Sequence, residues 1–584
     1  MKTWNLDALF TGYETTAYQN TVNTVEHLIQ EADAFANSLD KPGDEAARLT
    51  RYVELASTLR KNVLKAFAYV NLRLATDAQD DASLAQMNRM QALSSRTTNF
   101  STKVSKWIPT IDNLSSLIDS HDTLKAHRFH FESINERAKH VLSDKEEAII
   151  AKMSQTGSSA WGRLQGLLTS ILKVDYEGKT ITLPAVRNKA HSRDKDVRKK
   201  AYEAEIKAYE KVEHAVAAAL NSIKGEVNEI ASLRGFDTPL DEAVYNSRLK
   251  RETLDALIGA MQKHAPTLRT YLRRKATLLG HEKGLPWYDL FAPIGRSERE
   301  FSPKEATDYV VKNFQSFGDD LANLAQRAYD EDWIDWTPRE GKRGGAFCSN
   351  LHPIKQSRIL LNFDGSFSNV ITLAHELGHA YHGDRIFSES ILNASYTMPV
   401  AETASTLCET IVKKAALRDS KDEEALFILE QSLMGTTQVI IDILSRYSFE
   451  QNVFEARKAS TMSPTQLKNM MIKAQKEAYG DALDPEVLHP YMWINKGHYY
   501  SGSLSYYNFP YAFGLLFAKG IYAAFEKRGQ SFATDIDTLL RMTGQMKVED
   551  VASLVGIDVS DPAFWDASFK VIEEEVDRFL ALTE

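Results

Sequence analysis

The sequence predicts a mainly α-helical chain with one small β element placed just ahead of the segment TLAHELGHAYH, residues 372–382. Three observations support this. Apolar residues recur at helical spacing through most of the 584 residues, as in TVNTVEHLIQEADAFANSL, so that positions three and four apart share a face. Several of these segments open on legible caps. Two stretches break the helical period, each with the turn residues and short apolar runs of β-structure.

From about Thr21 to Lys173, long amphipathic segments are separated by short polar breaks such as DKPGDE, the pattern of a helical N-terminal region. In ILKVDYEGKTITLP apolar residues alternate around Glu177-Gly178, the signature of a short hairpin. This change divides the chain near residue 185, into a helical region over 1–185 and a second helical domain over 186–584. Further on, Ser302-Pro303 with Glu305, and Ser463-Pro464 with Gln466, each combine an N-cap, a proline at the first helical position and a capping-box partner. Asp561-Pro562 opens the last helix similarly. GKRGGAFCSNLHPIKQSRILLNF, from Gly341 to Phe363, reads as two short strands joined by a loop. The helix that follows has Ser366 or Ser368 as its N-cap and Gly383 as its C-cap.

A chain this long, 43% hydrophobic and 26% charged, needs one large multi-lobed body or two to three subdomains. Its net charge of −9 is spread without a block of like charge, so neither nucleic acid nor an anionic membrane is an evident partner. Cys348 and Cys408 are too few for a disulfide framework and fit a reducing compartment. The N-terminus shows no apolar h-region with a small-residue cleavage site. No run approaches the ~20 apolar residues that span a bilayer; the most apolar, FPYAFGLLFAKGIYAAF, carries Pro510, Gly514 and Lys519. The expectation is a cytoplasmic protein.

Within TLAHELGHAYH, His375 and His379 lie four residues apart and share a helix face. Two imidazoles so placed can hold one zinc ion, with Glu376 projecting beside them toward a metal-bound water. That arrangement suits metal-assisted hydrolysis; the bland alternative is two helical histidines beside a chance glutamate. A third ligand is what separates the two, since catalytic zinc usually has three protein ligands and one open position. Downstream, as far as residue 409, the acids are Asp384, Glu389, Glu402 and Glu409. Asp384 and Glu389 follow the helix too closely or fall in the loop-like RIFSESILNASYTMP, which turns the chain back. Position 385 is arginine, excluding H-E-x-x-H-x-x-G-x-x-H, and position 399, another known ligand spacing, is a proline that cannot ligate. Glu402, opening the helical pattern VAETASTLCETIVKKAAL, is the best candidate. Glu409 lies two turns further on the same face, with Ser405 between, and is either a hydrogen-bond acceptor for a ligand imidazole or a solvated glutamate. Leu377 and Gly378 read as packing positions, and His382 as a non-ligand.

The segments TLAHELGHAYH, VAETASTLCE and HYYSGSLSYYNFPYAFGLLFA together resemble the thimet-oligopeptidase-like metallopeptidases, most closely their oligoendopeptidase F branch. The likeness is dense from about residue 340 to 525 and weaker in the N-terminal half, where LKVDYEGKTITLP is also similar. It implies a large helical zincin-type fold with a deep substrate channel, residues 186–584 forming the catalytic domain. It also implies one zinc ion per chain on His375, His379 and Glu402, with Glu376 as general base and acid. Short unfolded oligopeptides are the implied substrates, cut at internal bonds. Removal of C-terminal residues, as in related helical folds, and a scaffold with an accidental motif are the alternatives. Cobalt or manganese in place of zinc stays open as well.

HYYSGSLSYYNFPY, residues 498–511, joins His498 to five tyrosines around Gly502. Such a hydroxyl-rich loop could donate hydrogen bonds to a developing oxyanion, although tyrosines beside an apolar helix are more often packing groups. The resemblance assigns His498 and Tyr506 to the oxyanion, with Tyr507 as the alternative donor or a substrate contact. In GGAF, Gly345 and Ala346 read either as part of a plain hairpin or as an edge strand for an extended peptide; the resemblance favours the edge strand.

Overall fold

A computed structural model describes residues 3–297 and 299–584. Its first helices, Thr16–Ser38 and Glu45–Thr76, are opened by Thr15 and Asp44, whose side chains accept the Tyr18 and Ala47 amides. DKPGDE falls in the break between them. With the helices that follow as far as Ala138, their apolar stripes close a first core around Tyr18, Tyr69 and Phe131. A second, larger core takes in buried residues from Leu172 to Phe579.

The hairpin joins these regions. β1 (Lys173–Tyr176) and β2 (Lys179–Thr182) are antiparallel, with Val174 opposite Ile181. Glu177 and Gly178 both take positive φ, 47° and 75°, the two-residue turn whose twist matches that of paired strands. Val174 and Tyr176 face the larger core, so the hairpin's buried side belongs with the chain that follows it. The expected caps are formed: Ser302 with Glu305 and Ser463 with Gln466 make reciprocal capping boxes, and Asp561 accepts the Ala563 amide.

Three strands, one more than expected, precede the motif: β3 (Ile334–Asp335), β4 (Phe347–Leu351) and β5 (Gln356–Leu360), in the order β3-β5-β4. β4 runs antiparallel to β5 and β3 parallel to it. β3 is two residues long between the buried Trp333 and Trp336, too short to show alternation in a sequence. Because successive strand residues face opposite ways, Leu360 packs into the first core while Ile359 and Leu361 enter the second. The sheet is thus a wall shared by both.

Against it lies the motif helix, Phe367–Ile386, capped by Ser366, whose side chain accepts the Asn369 amide. Gly383 does not end this helix, which runs three residues further. Its role is close approach: a Cβ there would lie 2.3 Å from Cγ of Asn350, and Asn350 donates to the His379 carbonyl at 3.0 Å. The apolar segment FPYAFGLLFAKGIYAAF forms the helix Phe509–Arg528, whose Lys519 pairs with Glu575 at 3.0 Å. One continuous helix, Asp422–Ala459, is long and apolar enough to cross a membrane by length and composition, which corrects the expectation that no run is. Its apolar window is 61% buried within the protein, and Glu430 inside it is ion-paired to the buried Lys275. Core packing accounts for its composition.

Candidate active site

The site is set by one helix crossing. After Ile386 the chain turns back through the short 3-10 turn Ile391–Asn393 and the single helical turn Met398–Ala401, then enters the return helix Thr403–Asp419. The two helices meet at Gly378, where a Cβ would sit 2.5 Å from Cα of Ser405 and 2.6 Å from the Ala404 carbonyl oxygen. Only glycine permits that approach. It brings Glu402, at the N-cap position of the return helix, over the histidine face of the motif helix. Gly514 of Phe509–Arg528 backs it, with a Cβ position 3.0 Å from that of Glu402.

Three donor atoms converge there. His375 Nε2 and His379 Nε2 are 3.1 Å apart, and Glu402 Oε2 lies 3.4 Å from the first and 3.3 Å from the second. Tetrahedral zinc, at about 2.0–2.1 Å from each ligand, sets ligand atoms about 3.3–3.4 Å apart. The triangle has the size and the donor chemistry of a three-ligand zinc site. The side chains are 26%, 20% and 24% exposed, so the cluster is reachable from solvent.

Hydrogen bonds fix its orientation. His375 Nδ1 donates to Glu409 Oε1 at 2.6 Å, which turns Nε2 toward the cluster. Glu409 also accepts from Lys413 at 2.6 Å, and Glu402 Oε2 accepts from Ser405 Oγ at 2.8 Å. Burial pushes the Glu409 carboxyl up, but Lys413 and His375 outweigh it and hold it at about 2. Glu402 is likewise held at about 2, burial being overcome by His379, His375 and Ser405. Glu376 behaves differently. It is 5% exposed, its Oε2 has no hydrogen-bond partner among the described residues, and burial raises its pKa despite the neighbouring imidazoles. His382 is not in the cluster: it is buried, stacked on Tyr396 and bonded to Thr543 Oγ1 at 2.9 Å.

The tyrosine segment divides. Tyr506 has a positive φ of 53°, and its buried ring packs on Phe454 and beside Tyr447. The Tyr506 ring is thus engaged in packing with these two aromatics. Tyr507 instead faces His498, ring centres 6.5 Å apart, and Tyr511, 5.7 Å away. The Tyr511 pKa is pushed up to about 12, first by burial, then by Tyr507 and, to a lesser extent, by the Glu402 charge. His498 is kept neutral, its pKa lowered to about 3 by burial and by Arg446, Lys224 and Lys496. Its buried Nε2 has no hydrogen-bond partner among the described residues. Gly345 and Ala346 lead into β4, an edge strand of the three-stranded sheet. Gly345 has a φ of 80° with open space where a Cβ would lie, and its carbonyl accepts from Asn362 at 2.8 Å.

Residues 189–571 match the model of peptidase family M3, and residues 111–173 match that of oligopeptidase F. The chain belongs to peptidase family M3. It is therefore a metallopeptidase, a hydrolase of peptide bonds. Among its relatives, Oligopeptidase PepF of Bacillus subtilis is 26% identical, the match covering 99% of this chain and 86% of that one. Group B oligopeptidase PepB of Streptococcus agalactiae is also 26% identical, over 98% and 96%. A crystal structure from Chlamydophila abortus superposes with a TM-score of 0.84 at 19% identity, covering 100% of this chain and 98% of the other. That of oligoendopeptidase-F from Enterococcus faecium gives 0.69 at 19% identity, over 97% and 98%. The fold is thus that of the large helical family M3 peptidases.

Two contributors to this M3 site were missed in the sequence. Lys413 stands four residues after Glu409, a spacing that helical geometry makes a contact and that could have been read. Asn350 could not: its bond to His379 spans 29 positions and depends on how the sheet meets the helix.

Proposed function

We propose that the chain is a zinc endopeptidase of short, unfolded oligopeptides, with His375, His379 and Glu402 holding the ion. When bound, zinc supplies Lewis acidity to the scissile carbonyl and to the attacking water. Glu376 takes the proton from that water and delivers it to the leaving amine nitrogen. A carboxylate with a raised pKa and an unpartnered oxygen suits both halves of that transfer. Tyr507 and the neutral His498 donate to the oxyanion, and Glu409 positions His375.

The observation that carries this reading is the triangle of 3.1, 3.3 and 3.4 Å between two imidazole nitrogens and one carboxylate oxygen. Preference for short peptides is supported by the N-terminal helices, which lie against the chain leading into Glu402. His127 bonds Ser390 Oγ at 2.7 Å, and Asn393 donates to the Ala126 carbonyl at 2.7 Å. In the test, Glu376→Gln is expected to retain metal while hydrolysis of a blocked, amidated peptide collapses. Activity near the parent level in that variant would sink the role of Glu376.

A further inference from the structure

Away from the metal cluster, a cavity of about 480 Å³ is walled by Tyr202, Trp287 and Tyr288 together with the basic side chains Arg187, His489 and Lys496. Most of its charges are already paired. Arg198 is held by the buried Asp289 at 2.7 Å, and Arg187 lies 3.2 Å from Glu205. Lys496 is the exception: among the described residues no carboxylate comes within ion-pair distance of it, and its ammonium makes no hydrogen bond.

Four more deeply buried lysines are each matched to an acid. Lys224 meets Glu450 at 2.7 Å, Lys342 meets Asp335 at 2.5 Å, Lys519 meets Glu575 at 3.0 Å, and Lys275 meets Glu430. His489, which also lines the cavity, lies 3.6 Å from the Glu205 carboxylate. A half-enclosed ammonium with no carboxylate in direct contact is held at the expense of its solvation. Burial and the nearby Arg446 accordingly lower its pKa to about 8. The cavity has a charge to receive and an aromatic wall to receive an apolar group.

We propose that this cavity is a carboxylate subsite, in which Lys496 takes the free C-terminal carboxylate of a peptide and the aromatic wall buries its last side chain. The assignment to a peptide rests on the peptidase reading. Lys496 directly precedes the 3-10 turn Gly497–Tyr500 that carries His498.

The test measures calorimetric binding of one peptide, as the free acid and as the C-terminal amide, to the full-length Glu376→Gln protein, which reads binding without turnover. The acid is expected to bind roughly ten-fold more tightly, the size of one charge-assisted contact. Lys496→Met should bring the acid-to-amide ratio to about one, whereas Lys496→Arg, which keeps the charge, should retain a preference. Acetate should compete with the acid and not with the amide. Equal binding of acid and amide, or a preference that survives Lys496→Met, would overturn the subsite. Acetate binding that Lys496→Met abolishes, without discrimination between the peptides, would overturn the peptide assignment in favour of a small carboxylate. Hydrolysis that proceeds without metal or Glu376, with acid preference intact, would instead overturn the mechanism proposed above and leave the subsite standing.

Discussion

Glu409 makes no contact with the ligand face of His375, yet it decides which way that face points. Its 2.6 Å bond to Nδ1 fixes tautomer and ring orientation. Glu409→Ala is therefore expected to weaken metal binding by about 10–100-fold, read by competition with a chromophoric chelator, and Lys413→Met to act in the same direction but less. The two adjacent tyrosines separate cleanly. Tyr507→Phe should lower kcat by about 10²-fold or more with little change in KM, as loss of an oxyanion donor does; Tyr506→Phe, altering a packed ring, should leave kcat within about two-fold. Steady-state kinetics on both variants checks this pair. His375, Glu376 and His379 were legible because four-residue spacing alone puts both imidazoles on one face. The different ring environments of Tyr506 and Tyr507 were not, because they depend on a left-handed backbone turn at Tyr506 that no local pattern announces.

At the scale of elements, Glu402 is a ligand candidate only because two helices touch backbone to backbone at Gly378. Gly378→Ala would drive a methyl into Ser405 Cα and the Ala404 carbonyl, neither of which can rotate aside. The return helix should shift, costing about 1–3 kcal/mol of stability and displacing Glu402. Metal stoichiometry should fall well before the fold is lost, as elemental analysis and thermal melting together would show. Helix positions and caps were largely readable, since Ser302, Ser463 and Asp561 announce their helices by themselves. The end of the motif helix was not. Gly383 resembles a C-cap in sequence, but its glycine serves the approach of Asn350 from a strand more than thirty residues earlier.

Across the whole molecule, two cores share the sheet ahead of the motif, and enclosed ion pairs tie distant helices together. Lys519 and Glu575 join Phe509–Arg528, which backs Glu402, to the last helix, Pro562–Thr583. Burial pushes Glu575 up, but Lys519 and Ser432 outweigh it and lower its pKa. A carboxyl lowered on folding adds stability above its unfolded value of about 4.3, and that stability is lost as pH falls through the folded value. Lys519→Met should thus cost about 3–5 kcal/mol at neutral pH. Glu575→Gln should also be less stable than the parent there, by a margin that narrows on acidification below about pH 4; urea unfolding across that range reads both. Such pairs are illegible in sequence, because each joins residues brought together only by the completed fold.

The central claim is that His375, His379 and Glu402 hold one catalytic zinc. The most direct measurement strips metal from the full-length protein with a chelator and follows hydrolysis of an N-blocked, C-amidated peptide as zinc is titrated back. Activity is expected to vanish with the metal and to return in full at one zinc per chain, and to fail to return at that ratio in Glu402→Gln. Hydrolysis that continues in the stripped protein, or that returns equally well in Glu402→Gln, would contradict it.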